Sequence, residues 1–246
     1  MKQLLFADFP IEEYHARVKR VRQLMEHCQV DALLLTQREN LRYFAGWYDG
    51  AWLIPNYYWL FLLPREQEPT LFFLLGDQMF EPTTWVEDIR YWWYGEGSWT
   101  SSSNEPGWIQ LVLDTLEEKG LSRATIGMEL GPHFRLGLPQ MQFDLFRQRL
   151  AGAKLVDASD LLWDVFSIKS ATEVSRIREA CRISCLGVRA GFEAIREGMS
   201  ERAVANIMYA TMFREGASEV QFYCLYAGPQ RAMWWDSQPR RNYHLK

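Results

Sequence analysis

The chain has 246 residues, 48% of them hydrophobic, 15% aromatic and 24% charged, with a net charge of −4. That apolar content excludes a disordered chain. The acidic balance excludes a general nucleic-acid binder, which needs a concentrated basic face.

The length suits one large domain, or one domain and part of another. Residues 4–7 are the only apolar stretch near the start, too short for the core of a secretory signal. The most apolar window, residues 51–63, is broken by Pro55 and Asn56, well short of the ~20 residues that span a bilayer. The expectation is a cytoplasmic protein with no membrane partner.

Pro10 suits the first turn of a helix. Ile11, Tyr14, Val18, Val21, Leu24 and Met25 follow at helical spacing. Lys19, Arg20 and Arg22, with His15 and His27, read as the solvated face of that helix. Residues 32–36 are continuously apolar, as in a buried strand. Residues 39–44 suit a short helix ending before Gly46, and an aromatic loop from Trp47 to Trp52 follows. Residues 57–63 and 70–75 read as the strands of a hairpin. Residues 77–85 are weakly helical, and 89–94 are strand-like, with Trp92, Trp93 and Tyr94 straddling the strand.

Residues 95–107 form a loop rich in Gly, Ser and Asn. Its Gly95-Glu96-Gly97 lacks the Lys-Ser/Thr ending and the strand–helix context of a phosphate cradle. Pro106 opens a helix closed by Gly120; a strand at 125–129, a helix at 138–150 and a strand at 154–156 follow. This alternation predicts an α/β layer structure. A second region begins near Leu161. Ser170-Ala171-Thr172-Glu173 spells a capping box. The helix it opens is expected to bury Val174, Ile177, Ala180, Val188, Phe192 and Ile195 along one stripe, ending at Gly198. Ser200 caps the next helix, which stops at Gly216. Residues 219–227 are extended and apolar, a strand expected to seek a pairing partner.

Cys28, Cys181, Cys185 and Cys224 show no disulfide spacing. Cys181 and Cys185 share a helix face, either as small core residues or as half of a metal site. No G-x-S-x-G occurs. No carboxylate pair falls on a predictable shared face, so the residues alone offer no self-contained catalytic constellation.

Three blocks resemble the creatinase, aminopeptidase P and prolidase family. The first is Val30-Asp31-Ala32-Leu33-Leu34-Leu35 followed by Glu39-Asn40-Leu41-Arg42-Tyr43-Phe44-Ala45-Gly46. The second is Ile126-Gly127-Met128-Glu129. The third, the most specific, is Ile168-Lys169-Ser170-Ala171-Thr172-Glu173 with Ile177 and Ala180, then Glu197-Gly198-Met199-Ser200-Glu201. The resemblance implies an α/β fold: a creatinase-type N-terminal domain over residues 1–160, with a mixed sheet flanked by helices. An incomplete α+β pita-bread segment, the first helices and strand of a catalytic domain, follows over 161–246.

Peptidase members of that family hydrolyse the bond before proline using two divalent metals such as Mn or Co, held by two Asp, one His and two Glu. Creatinase members cleave a C–N bond without metal. The N-terminal domain supports a homodimer, and its loops can close over the partner's active site. All five ligand positions lie beyond the last residue here. The resemblance therefore implies no metal and no cofactor on this chain, and a polypeptide inactive alone. Where members carry a His, this chain places Trp235, or Asp236 if the register slips by one; indole cannot exchange a proton near neutral pH. Asn56 stands near a position where creatinase-like members present an Arg.

The substrate-facing candidates are thus Trp47, Tyr48, Trp52, Asn56, Tyr57, Trp235 and Asp236. The competing role for Trp47 and Trp52 is to plug the domain face. A small peptide or other small C–N compound is the substrate class implied. The alternative is a non-catalytic dimerisation or protein-binding module of the same fold, anchored by its Trp-rich loops.

Overall fold

A computed structural model describes residues 4, 7–47, 59–74, 76–93, 106–150, 152–220, 225, 244 and 245. It divides into two units, Met1–Ile168 and Lys169–Lys246.

The first unit is built on a six-stranded sheet in the order β4-β3-β2-β1-β5-β6. Its strands are β1 (Ala32–Leu35), β2 (Leu60–Pro64), β3 (Thr70–Leu74), β4 (Asp88–Trp92), β5 (Thr125–Met128) and β6 (Lys154–Asp157). β2 runs antiparallel to β1 and β3, and the other pairings are parallel. The β2–β3 hairpin registers Leu60 on Phe72 and Leu62 on Thr70. Helices cover both faces, which explains the continuous apolar runs, since successive strand side chains point to opposite sides. Leu33, Leu35, Phe61, Leu63, Leu71 and Phe73 join one core. Ala32, Leu34, Leu60, Leu62, Phe72 and Leu74 join the other. Each fully buried Leu or Phe contributes about 1.5–3 kcal/mol relative to exposure.

The first core is closed by α1 (Ile11–His27), α2 (Arg38–Ala45) and α5 (Ser159–Ser167). The second is closed by α3 (Gly107–Glu118) and α4 (Gln140–Arg149). Acidic Glu12 and Glu13 in the first turn of α1, with His27 in its last, complement the helix dipole. Tyr14, Val18, Val21 and Met25 form its buried stripe. α2 ends at Gly46, in the left-handed region at φ 72. Residues 77–83, read as weakly helical, form a 3-10 turn. Trp92 is buried and Trp93 half-buried. Tyr94 and residues 95–105 lie outside the described residues.

α5 was not anticipated from the sequence. At its start, Asp157 Oδ1 accepts from Ser159 N at 3.0 Å and from Ser159 Oγ at 2.6 Å. At its end, the Arg20 guanidinium donates to the carbonyls of Asp164 (3.0 Å), Val165 (2.6 Å) and Ile168 (2.8 Å). These carbonyls have no intrahelical donor of their own. Arg20 is thus not merely part of a solvated face, as its helix position suggests. Arg22 likewise donates to Pro64 O at 3.2 Å and to Gln67 O, pinning the hairpin turn. The first unit runs through Ile168.

Asp88 heads a polar network where β4 begins. It accepts from Thr70 Oγ1 at 2.6 Å and Arg90 Nε at 3.1 Å, with Lys119 Nζ at 3.5 Å. Arg90 also reaches Glu118 at 2.6 Å. Burial pushes the Asp88 carboxyl up, but the Thr70 hydroxyl, Arg90 and Lys119 outweigh it and hold the group below its usual range. A depressed folded-state value stabilises above the unfolded value of about 4 and loses that contribution as pH falls through the folded value. The variant Asp88→Asn is accordingly expected to be less stable than the wild type at neutral pH, the gap in urea midpoint closing on acidification. A gap unchanged down to the acid limit of folding would contradict this.

In the second unit, α6 (Ala171–Ala194) opens with the expected capping box. Ser170 Oγ accepts from Glu173 N at 3.1 Å, and Ser170 N donates to Glu173 Oε2 at 2.8 Å. Ser200 Oγ caps α7 (Glu201–Arg214) by accepting from Ala203 N at 3.1 Å. The expected buried stripe of α6 is not the one used. Ile177, Ala180, Val188 and Phe192 are exposed, with Phe192 64% accessible. The buried positions are Ile183, Gly187 and Gly191, about 100° round the helix from Val188 and Phe192. The glycines admit methionines of α7. A Cβ at Gly187 would lie 2.5 Å from Met212 Cγ, and one at Gly191 2.3 Å from Met208 Cε. An apolarity stripe cannot reveal a contact made by residues that have no side chain.

His244 forms an antiparallel bridge with Ser200, and Leu245 exchanges backbone hydrogen bonds with Gly198 and Met199 at 2.9 and 2.8 Å. Within the expected strand 219–227, residues 219, 220 and 225 are described and belong to no strand; the rest lie outside the described residues. Among the described residues no helix is long and apolar enough to cross a membrane.

Candidate functional site

An open α/β sheet receives ligands outside the carboxyl ends of its strands, where the strand order reverses. Here that place lies between β1 and β5. From β1 the chain works outward through β2, β3 and β4, then returns to lay β5 and β6 on the other side. The ends of β1 and β5 and the start of α2 frame the crevice.

Its centre is Glu129, 1% exposed. Oε1 accepts from Asn40 Nδ2 at 2.8 Å, Gln37 N at 3.0 Å and Thr36 N at 3.1 Å. Oε2 accepts from Thr36 N and Thr36 Oγ1, both at 2.9 Å. Gln37 and the turn after it begin α2, so the carboxylate also faces the positive end of a helix. Gly137 N donates to Thr36 Oγ1 at 2.9 Å, and Arg135 N to Gln37 Oε1 at 3.4 Å. The segment after β5 is thus laced over the crevice. Burial pushes the Glu129 carboxyl above its usual range, while the hydrogen bonds from Asn40, Gln37 and Thr36 oppose that rise.

The chemistry open to this group is narrow. A general base must reach the proton it removes, and a metal ligand needs a free lone pair. Glu129 is sealed from solvent, and its oxygens are occupied by donors. It fastens α2 to β5. Ser159 is similarly no nucleophile: its hydroxyl is buried, donates to Asp157 and accepts from Gly131 N at 3.0 Å.

At the opposite end of the sheet lies a wide groove of about 1280 Å³ lined by His15, Lys19, Glu26, Asp31, Arg65 and Glu87, among others. Its charges are mixed and partly paired, with Arg65 3.6 Å from Asp31 and 3.8 Å from Glu66. His15 packs edge-on against Trp85 at 4.8 Å.

Of the residues expected to face substrate, Trp47 is fully buried, its ring centroid 4.3 Å from that of Trp59 and 4.9 Å from that of Phe73. It fills the first core instead of an open face. Tyr48, Trp52, Asn56, Tyr57, Trp235 and Asp236 lie outside the described residues. Cys181 and Cys185 are exposed, not core. Sequence reasoning gave Thr36, Asn40 and Glu129 no role in a site, although Asn40 and Glu129 stand in two of the family-like blocks. The available signal was a charged residue ending an apolar strand, where the other layer must satisfy it. Among the described residues, no group of three or more His, Cys, Asp or Glu side chains could hold a metal ion. The described residues therefore form no two-metal centre.

Residues 17–165 match the creatinase/prolidase N-terminal domain family, and residues 175–245 match metallopeptidase family M24. The chain is 27% identical over 210 residues to an uncharacterized hydrolase/peptidase of Sinorhizobium fredii, covering 84% of this chain and 51% of that protein. It is 27% identical over 207 residues to the creatinase of a Bacillus species, covering 84% and 46% respectively. The chain thus spans about half the length of these curated relatives. Among solved structures, a dipeptidase from Mycobacterium ulcerans superposes with a TM-score of 0.73 at 21% identity, over 97% of this chain and 58% of that one. A prolidase from Pyrococcus furiosus does so with a TM-score of 0.63 at 19% identity, over 92% and 57%. At these identities the structural likeness establishes the fold.

Proposed function

The chain belongs to the creatinase/prolidase N-terminal domain family and carries a stretch of metallopeptidase family M24, and from that premise we propose that it forms the front half of a hydrolase of C–N bonds. Xaa-Pro dipeptides and creatine-like amidines are the substrate classes. The observation that carries this reading is the order of the two matches on one polypeptide: the N-terminal domain over 17–165, then the M24 segment over 175–245.

In this reading the first unit is a scaffold. Glu129 fixes α2, and α2 delivers Gly46 and Trp47. Tyr48, Trp52, Asn56 and Tyr57 follow it in sequence as candidates to meet substrate, and Trp235 and Asp236 are separate candidates of the second unit. The protein works as a cytoplasmic homodimer. Bond scission requires groups beyond these residues, and the 246-residue polypeptide is inactive alone. The support for this is that the chain spans about half the length of its curated relatives.

The test follows proline release from Xaa-Pro dipeptides and loss of creatine, with and without Mn²⁺. It uses the polypeptide alone and the polypeptide joined to the C-terminal half of the Bacillus creatinase. The polypeptide alone is expected to turn over neither substrate, and the joined protein to turn over one. Turnover by the polypeptide alone contradicts the inactivity. A folded joined protein that cleaves neither contradicts the hydrolase reading and favours a non-catalytic module.

A further inference from the structure

The Glu129 carboxylate occupies the place where this class of sheet receives a ligand from outside. Among the described residues, every hydrogen bond it makes is one it accepts. The donors are the backbone N–H groups of Thr36 and Gln37, the Thr36 hydroxyl and the Asn40 carboxamide, all within 3.1 Å. They approach two oxygens of one planar group, three contacts on Oε1 and two on Oε2. Thr36 and Asn40 are themselves buried. No lysine or arginine stands among these donors, so the set matches a monoanion and not a phosphate dianion. The helix whose N-terminus contributes, α2, has eight residues. Two side-chain donors reinforce that terminus, and an anion already sits there.

We propose that the crevice between β1 and β5 is a carboxylate-binding site which this chain fills with its own side chain, and which accepts a small free carboxylate once that side chain is removed. Glu129→Ala deletes Cγ, Cδ and both oxygens, the heavy atoms of one acetate ion. Acetate placed in the gap recovers each donor without a new contact having to form. The wild-type unit, by the same token, takes no external anion at this switch point. Its service to the protein is positional: the site that elsewhere holds a ligand here holds α2.

The experiment measures urea unfolding of the full 246-residue chain, wild type and Glu129→Ala, in sodium acetate and in sodium chloride of equal ionic strength. Acetate is expected to lower the unfolding constant of the variant by the factor 1 + [acetate]/Kd, about tenfold at ten times its dissociation constant, and to leave the wild type unmoved. Recovery of folding by acetate, should the variant be unfolded in chloride, supports the proposal equally. A folded variant indifferent to acetate, or stabilised equally by chloride, overturns it. If the variant folds in neither salt, Glu129→Gln decides. The amide fills the same volume but turns one acceptor into a donor facing donors. Its unfolding constant should rise at least tenfold and ignore acetate. Stability equal to the wild type overturns the proposal.

Discussion

Replacing Trp47 by alanine is expected to destabilise the first unit by about 3–5 kcal/mol, the range for deleting a large buried ring. Trp47 has no exposed surface and lies between Trp59 and Phe73 in the core that α1 and α2 press against the sheet. The cost combines the lost transfer free energy of the indole with the cavity that a rigid β3 cannot collapse to fill. Urea unfolding followed by far-UV circular dichroism measures it. Trp47→Phe should recover roughly half, because the phenyl ring still touches Phe73. The outcome also discriminates between roles. A ring that faced substrate in an open loop would change stability by no more than about 0.5 kcal/mol on truncation, as surface positions do. Such a small change would remove Trp47 from the core and return it to the substrate-facing set.

Gly137→Ala is the second large effect, expected at about 3 kcal/mol. A Cβ at this position would stand 2.2 Å from the Thr36 carbonyl oxygen and 2.9 Å from its carbon. Those atoms are backbone, so no side chain can rotate away. The segment after β5 would have to lift, breaking the bond from Gly137 N to Thr36 Oγ1. That hydroxyl donates to Glu129, so the strain reaches the carboxylate pin directly. Gly120→Ala serves as the control: it meets nothing within 4 Å but has φ +69. It should cost only the ~1–2 kcal/mol of a left-handed residue with a side chain. Equal losses for the two variants would mean that close approach at Gly137 has no special weight.

Much of the fold was legible where one periodicity dominated. The α1 stripe from Tyr14 to Met25, the double-sided strand at Ala32–Leu35 and the Ser170–Glu173 capping box all follow from local rules. What escaped the sequence reading depended on partners remote in the chain. α5 is secured by Arg20, over 140 residues earlier, and no local pattern announces that clamp. The packing face of α6 is defined by what Gly187 and Gly191 lack. Glu129 gains its donors from residues about 90 positions away. Only a strand order that places β5 beside β1 brings them together. The resemblance supplied the family, while most residues it nominated for substrate fall outside the described part of the chain.

The most direct measurement is the metal content and metal affinity of the 246-residue polypeptide. Dialysed protein is titrated with Mn²⁺ and with Co²⁺, and the bound metal is counted after removal of the excess. A scaffold whose reactive groups lie elsewhere holds neither ion stoichiometrically. Two equivalents retained per chain, with proline released from an Xaa-Pro dipeptide, would show that these residues assemble a catalytic centre of their own.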